Sequence, residues 1–186
     1  PRGVVWRVST EGRPVAKRPI PLPEVEARVA RYHAPYHARI VSELERLRAR
    51  FGCVVLLAVH SMPSCAKVAG SEEVIRRADV VPGTRGRTTA APCFIDCVDS
   101  LFRDAGLSVR HDDPYRGGYT TGHYGVPDAS VHAIQIELSR ALYLDEASLT
   151  IRDADAARVR ELITRLASRL GELACASVGH ESLASR

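Results

Sequence analysis

Apolar residues recur at helical spacing first between residues 24 and 50. Tyr36, Ile40, Leu44, Leu47 and Phe51 follow one another at steps of four and three, which lays one apolar stripe along a helix. Pro35 interrupts this stretch, removing a backbone donor and crowding the preceding turn, so the pattern predicts two helices or one bent one. Ahead of it, residues 1–22 carry Pro14, Pro19 and Pro21 and predict a short strand around 4–8 followed by a loop. After Gly52, residues 53–59 are continuously apolar and rich in valine and leucine, which predicts a strand buried on both faces, as in a parallel sheet, ending at His60.

Residues 61–91 show no periodic element beyond a turn of helix at 72–76. Pro92 suits a first helical position and opens a helix that carries Phe94, Val98, Leu101, Phe102 and Ala105 on one face. A second strand is predicted at 107–110. Residues 112–128, rich in glycine, tyrosine and proline, read as a long loop, a length uncommon unless the loop carries function. Residues 132–138 alternate as a strand. Residues 155–173 form a helix with Val159, Leu162, Ile163, Leu166, Leu170 and Leu173 on one side, and 176–186 read as a frayed tail. Strands alternating with helices predict an α/β fold: a single domain over 1–186, with a mixed, mostly parallel sheet flanked by helices.

The chain's 186 residues suffice for one domain with a sizeable core. No apolar run approaches the ~18 residues of a membrane span. No basic stub, apolar core and small-residue cleavage site stands at the start. The chain begins at Pro1 without a methionine, which leaves room for residues upstream. Its net charge of +4 comes from arginine, since Lys17 and Lys67 are the only lysines. The arginines are scattered along the helices and not gathered into one stripe, which argues against a nucleic-acid partner. They suit instead a cleft for an acidic small molecule, because guanidinium pairs bidentately with carboxylates. Cys53, Cys65, Cys93, Cys97 and Cys175 are odd in number and contain no C-x-x-C pair, which fits reduced thiols in a cytoplasmic protein.

Ligand sites in open α/β sheets gather beyond the carboxyl ends of strands. His60 and Glu137 stand near two such ends, and alternation puts Glu137 on a face with Ala133 and Gln135. One reading makes them a zinc ligand and a general base; the other makes them a capping histidine and a surface glutamate. His33 and His37 have metal-sharing spacing, but Pro35 lies between them and no glutamate follows His33, so they read as structural. Two arginine-bearing loops stand out. One is Asp113-Pro114-Tyr115-Arg116-Gly117-Gly118-Tyr119-Thr120. The other is Gly83-Thr84-Arg85-Gly86-Arg87, which lacks P-loop spacing.

Five segments in register resemble the N-formylglutamate amidohydrolase family. They are Arg31-Tyr32-His33-Ala34-Pro35-Tyr36-His37, Val59-His60-Ser61-Met62-Pro63, Asp79-Val80-Val81-Pro82-Gly83-Thr84-Arg85, Asp113-Pro114-Tyr115-Arg116-Gly117-Gly118-Tyr119, and Ala133-Ile134-Gln135-Ile136-Glu137-Leu138-Ser139-Arg140 with Leu142-Tyr143 after it. The match runs from about residue 3 to 173. It implies a zinc carboxypeptidase-like (phosphorylase/hydrolase-like) fold and hydrolysis of N-formyl-L-glutamate to formate and L-glutamate in histidine breakdown. It implies zinc as cofactor with His60 as a ligand, and Glu137 as general base. Arg85, Arg87, Tyr115, Arg116, Tyr119 and Arg140 become the groups expected to hold substrate carboxylates.

The implied partner is a small N-acylated acidic amino acid, with neither nucleic acid nor membrane, and the oligomeric state stays open. This sequence departs from the family at Ala58, where aspartate is common, and at Asp112 and Ser139, where asparagine is usual. The family's upstream His-Ser-Gly segment, which supplies further zinc ligands, has no match here. The alternatives are a deacylase or carboxypeptidase-like hydrolase with another substrate, or a non-catalytic relative.

Overall fold

The computed structural model describes residues 6–9, 12–67 and 70–184. They group into two compact units, Pro1–Glu45 and Arg46–Arg186. In the first, Val8 bridges Pro14 in place of a strand, while Val4 and Val5 lie outside the described residues. Helix α1 (Leu22–Arg28) runs into a π-helical turn (Val29–His33), and α2 (Ala34–Phe51) continues from it. The widened turn falls just before Pro35. That is where an α-helical ladder would need the missing N–H and meet the ring, so the bend expected at this proline takes the form of a π-turn. Gly52, at φ 76°, closes α2 by donating its N–H to Arg48 O at 2.7 Å.

The second unit is built on three strands in the order β1 (Val54–Met62), β5 (Val131–Ser139), β4 (Val80–Gly83). β1 and β5 are parallel over nine pairs, and β4 runs antiparallel on the other side of β5, so the sheet is mixed. α3 (Pro92–Asp104) and α5 (Asp153–Ala184) pack against one face. There Ile134, Ile136 and Leu138 meet Phe94, Val98 and Phe102 from α3 and Leu166 and Leu170 from α5. The stripes read from the sequence on α3 and α5 are the ones that bury this face, whereas Tyr36 and Phe51 of the stripe read on α2 are exposed. Asp99 clips the end of α3 to the next segment, accepting from Arg103 Nε and bonding His111 Nε2, each at 2.8 Å.

Several elements differ from the sequence pattern. β1 continues past His60 to Met62 and is not buried on both faces. Its exposure rises from Val54 through Val59, which is 45% exposed, because among the described residues it is an edge strand, and Met62 at its end is buried again. The stretch expected to lack regular structure holds β2 (Cys65–Lys67), β3 (Val74–Arg76) and β4, and β3 replaces the helical turn expected at 72–76. Strands of three or four residues are too short to show a period, and Pro82 inside β4 argues against a strand unless it lies at an edge, as it does here.

The strand expected at 107–110 reduces to one bridge, Val80 to Val109. The long loop encloses a short helix, α4 (Tyr119–Tyr124), and a 3-10 turn (Pro127–Ala129). Ala105, expected on the apolar face of α3, is its exposed C-terminal cap. Past α4, β6 (Leu144–Asp145) and β7 (Thr150–Ile151) form a small hairpin. α5 begins at Asp153 and runs on to Ala184 through the stretch expected to fray, where alanine, leucine and glutamate favour helix. No helix among the described residues is long and apolar enough to cross a membrane.

Candidate active site

With Ile134, Ile136 and Leu138 facing the helices, period-two alternation turns Gln135, Glu137 and Ser139 to the opposite face of β5. All three are buried, Glu137 with 8% of its surface exposed. In the parallel register His60 is the partner of Glu137 and Ala58 that of Gln135, while Val81 of β4 flanks Glu137 on the other side. Paired residues on adjacent strands project to the same face. The imidazole and the carboxylate therefore stand side by side on one face of the sheet.

A carboxylate at a buried position needs partners. Glu137 Oε1 accepts from Gln135 Nε2 at 3.0 Å, and Gln135 Oε1 accepts the Gly118 N–H at 2.8 Å. The second bond fixes the first: a backbone N–H requires the amide oxygen, so the NH2 end must face Glu137. Burial pushes the Glu137 pKa above the ordinary carboxyl range. The neighbouring His60, Arg77 and Arg140 and the Gln135 hydrogen bond act in the opposite direction without cancelling it. None of those three side chains forms an ion pair or hydrogen bond with the carboxylate among the described contacts. The result is a buried, proton-avid carboxylate with cations near it but not on it.

The loop that supplies Gly118 is locked to β4. Asp112, at φ 59°, accepts the N–H groups of Thr84, Arg85 and Gly86 at 2.7, 3.0 and 2.7 Å. An asparagine there has one acceptor oxygen, and its NH2 would oppose one of these donors. The carboxylate at this position thus holds the 84–86 turn, with its oxygens directed at backbone. Gly83 makes the closest approach: a Cβ there would lie 2.6 Å from Gly117 N and 2.9 Å from Tyr115 O. Glycine is required wherever two backbones pass at that distance.

The residues singled out from the sequence divide by location. His60, Glu137 and Arg140 gather at the end of the β1–β5 pair, and Tyr115 carries the Arg77 guanidinium over its ring at 5.3 Å from the centroid. Arg85 donates from Nη1 to Gly117 O at 3.3 Å and packs against Gly122, so it braces the loop. Arg116 is exposed and passes near Gly86. Tyr119 stacks on His123 with ring centroids 4.7 Å apart. Arg87 is held by Asp96 of α3 at 2.6 Å. The sequence pattern did not single out Arg77, which hides in the unread 61–91 segment, nor the role of Gln135, which sits two residues from Glu137 on the same strand face. His33 and His37, in the first unit, lie with ring centroids 4.1 Å apart.

Comparison with known proteins bears on this arrangement. Residues 1–144 match the family model described as N-formylglutamate amidohydrolase. An N-formylglutamate deformylase of Pseudomonas aeruginosa is 32% identical over 165 residues, covering 84% of this chain and 60% of that protein. One from Pseudomonas putida is 28% identical over 132 residues, 70% of this chain and 48% of its own length. The crystal structure of an N-formylglutamate amidohydrolase from Ralstonia eutropha JMP134 superposes with a TM-score of 0.79 at 32% identity, covering 91% of this chain and 61% of that one. A gene product of Agrobacterium tumefaciens, at 22% identity and a TM-score of 0.60, shares the fold. The chain thus spans between about half and three fifths of the length of these relatives.

Proposed function

Because the chain belongs to the N-formylglutamate amidohydrolase family, we propose that it cleaves the formyl amide of N-formyl-L-glutamate, or of a similar N-acylated acidic amino acid, with Glu137 as general base. The observation that carries this reading is the Glu137 carboxylate, buried beside His60 with its pKa raised by desolvation. A raised pKa makes a carboxylate a stronger proton acceptor near neutral pH. In the proposed reaction, water attacks the formyl carbon and gives its proton to Glu137. The carbon–nitrogen bond then breaks, and Glu137 returns the proton to the departing amine, leaving formate and L-glutamate. Gln135 holds the carboxylate in place through both steps.

Zinc is the proposed cofactor, with His60 as one ligand. A catalytic zinc site takes three protein ligands and one open position. Among the described residues no three histidine, cysteine, aspartate or glutamate side chains converge, so these donors alone do not complete such a centre. Bound zinc would lower the pKa of a coordinated water. The kinship to zinc carboxypeptidases, a cytoplasmic location and a place in histidine breakdown belong to the same proposal.

The test is a substrate panel with metal analysis on the full-length protein. N-formyl-, N-acetyl- and N-succinyl-L-glutamate are supplied in parallel, with and without added zinc. The expected outcome is zinc-dependent release of formate in preference to the other acids. Turnover of the acetyl or succinyl compound alone would reassign the substrate. Less than about a tenth of an equivalent of zinc, together with no turnover, would favour a non-catalytic relative.

A further inference from the structure

The residue that follows the β2–β3 hairpin is a cation outside the five segments that carry the family resemblance. Arg77 follows β3 directly, and its backbone N–H donates to Ser64 O at 2.8 Å. Its Nη1 donates to Pro63 O at 3.2 Å, and its guanidinium carbon lies 5.3 Å from the Tyr115 ring centroid. Ser64 is itself held, since its N–H donates to both Glu146 oxygens at 3.0 and 3.1 Å and its hydroxyl also bonds Glu146. The half-buried guanidinium is thus held by two groups, the Pro63 carbonyl and the Tyr115 ring, on a backbone anchored to Ser64.

No carboxylate sits on Arg77, as none sits on Arg85, Arg116 or Arg140 among the described residues; what distinguishes Arg77 is that its guanidinium is held by a carbonyl and an aromatic ring. Arg87 is paired with Asp96, Arg103 with Asp99, Arg110 with Asp113 and Arg152 with Asp155. Arg77 forms no ion pair among the described residues, and the Pro63 carbonyl engages one of its five N–H donors. A guanidinium fixed against the ring of Tyr115, in the loop whose Gly118 N–H holds Gln135, and with further N–H donors left over, suits a bidentate carboxylate ligand.

The geometry points to Arg77, braced by Tyr115, as the subsite that receives one carboxylate of the N-acyl amino acid and so selects dicarboxylic substrates. This rests on the proposed amide hydrolysis. The experiment compares formate release from N-formyl-L-glutamate and its two monoamides, N-formyl-L-glutamine and N-formyl-L-isoglutamine, by full-length wild-type, Arg77→Leu and Arg77→Lys proteins. A ratio of kcat/KM values cancels any general loss of folded enzyme.

Arg77→Leu is expected to compress the preference for the dicarboxylate over one of the two monoamides by about 10- to 100-fold, the usual loss for a hydrogen bond to a charged group. Arg77→Lys should recover part of that preference, since it keeps the charge without the fork. Equal falls on all three substrates, or no change, would overturn the assignment. If the wild type releases formate from none of them, the hydrolase reading fails separately. Calorimetric binding of the same three compounds then decides: a dicarboxylate preference that Arg77→Leu removes upholds the subsite, and its absence in the wild type overturns it.

Discussion

At the scale of single residues, the site turns on how a carboxylate is kept in a buried strand position. Glu137 has one side-chain donor, Gln135, which is itself pinned by the Gly118 N–H. Replacing Gln135 with leucine strands both a carboxylate oxygen and a backbone N–H, and leaving buried partners unsatisfied costs about 1–3 kcal/mol. A urea titration of Gln135→Leu should report a loss of that size; a midpoint equal to the wild type's would mean that the relay contributes nothing. His60 and Glu137 were legible in the sequence because each is a polar residue set against an apolar run. Arg77 was not, because its brace consists of a carbonyl from one turn and a ring from a loop nearly forty residues on. Only tertiary structure brings such groups together.

At the scale of elements, legibility followed length and period. The leucine stripe of α5, the apolar face of α3 and the alternation of β5 each repeat often enough to be read, and together they form the core face of the sheet. β2, β3 and β4 give no such signal. The cost of missing β4 is that its junction with the 112–118 loop also went unread. Gly83 allows that junction, since any side chain would collide with backbone at Gly117 and Tyr115. Gly83→Ala should therefore destabilise by about 1–3 kcal/mol, as overpacked sites do, and reduce turnover by shifting the loop that holds Gln135. A thermal melt and rate indistinguishable from wild type would show that the loop yields without cost.

A second element-scale prediction concerns pH. His132, at the start of β5, lies against the Phe94 ring and accepts the Ala91 N–H on Nδ1 at 3.2 Å, so it stays neutral in the fold. Burial pushes its pKa below the ordinary histidine value of 6.5. The unfolded chain takes up the proton first as pH falls. Stability is therefore full above about pH 6.5 and declines below it, by at most ~1.4 kcal/mol per pH unit until the folded pKa is reached. Urea midpoints at pH 7.5 and 5.5 should fall further in the wild type than in His132→Gln. Parallel slopes would remove His132 from the account.

At the scale of the whole molecule, the α/β class followed from the order of periodic elements, and the superposition on the Ralstonia eutropha amidohydrolase agrees with it; β4, the antiparallel strand that makes the sheet mixed, was not among those elements. How much of a catalytic centre these residues contain is a different matter. The fold sets the Glu137 carboxylate and the His60 imidazole on one sheet face, while no three metal-binding side chains converge among the described residues. The proposed chemistry therefore depends on the Glu137 carboxylate more than on a metal. The direct test is formate release from N-formyl-L-glutamate by full-length wild-type and Glu137→Gln proteins with matched thermal melts. A fall of about 10²- to 10⁴-fold in the variant, the usual contribution of a general base, is the predicted result. Turnover at the wild-type rate would contradict it.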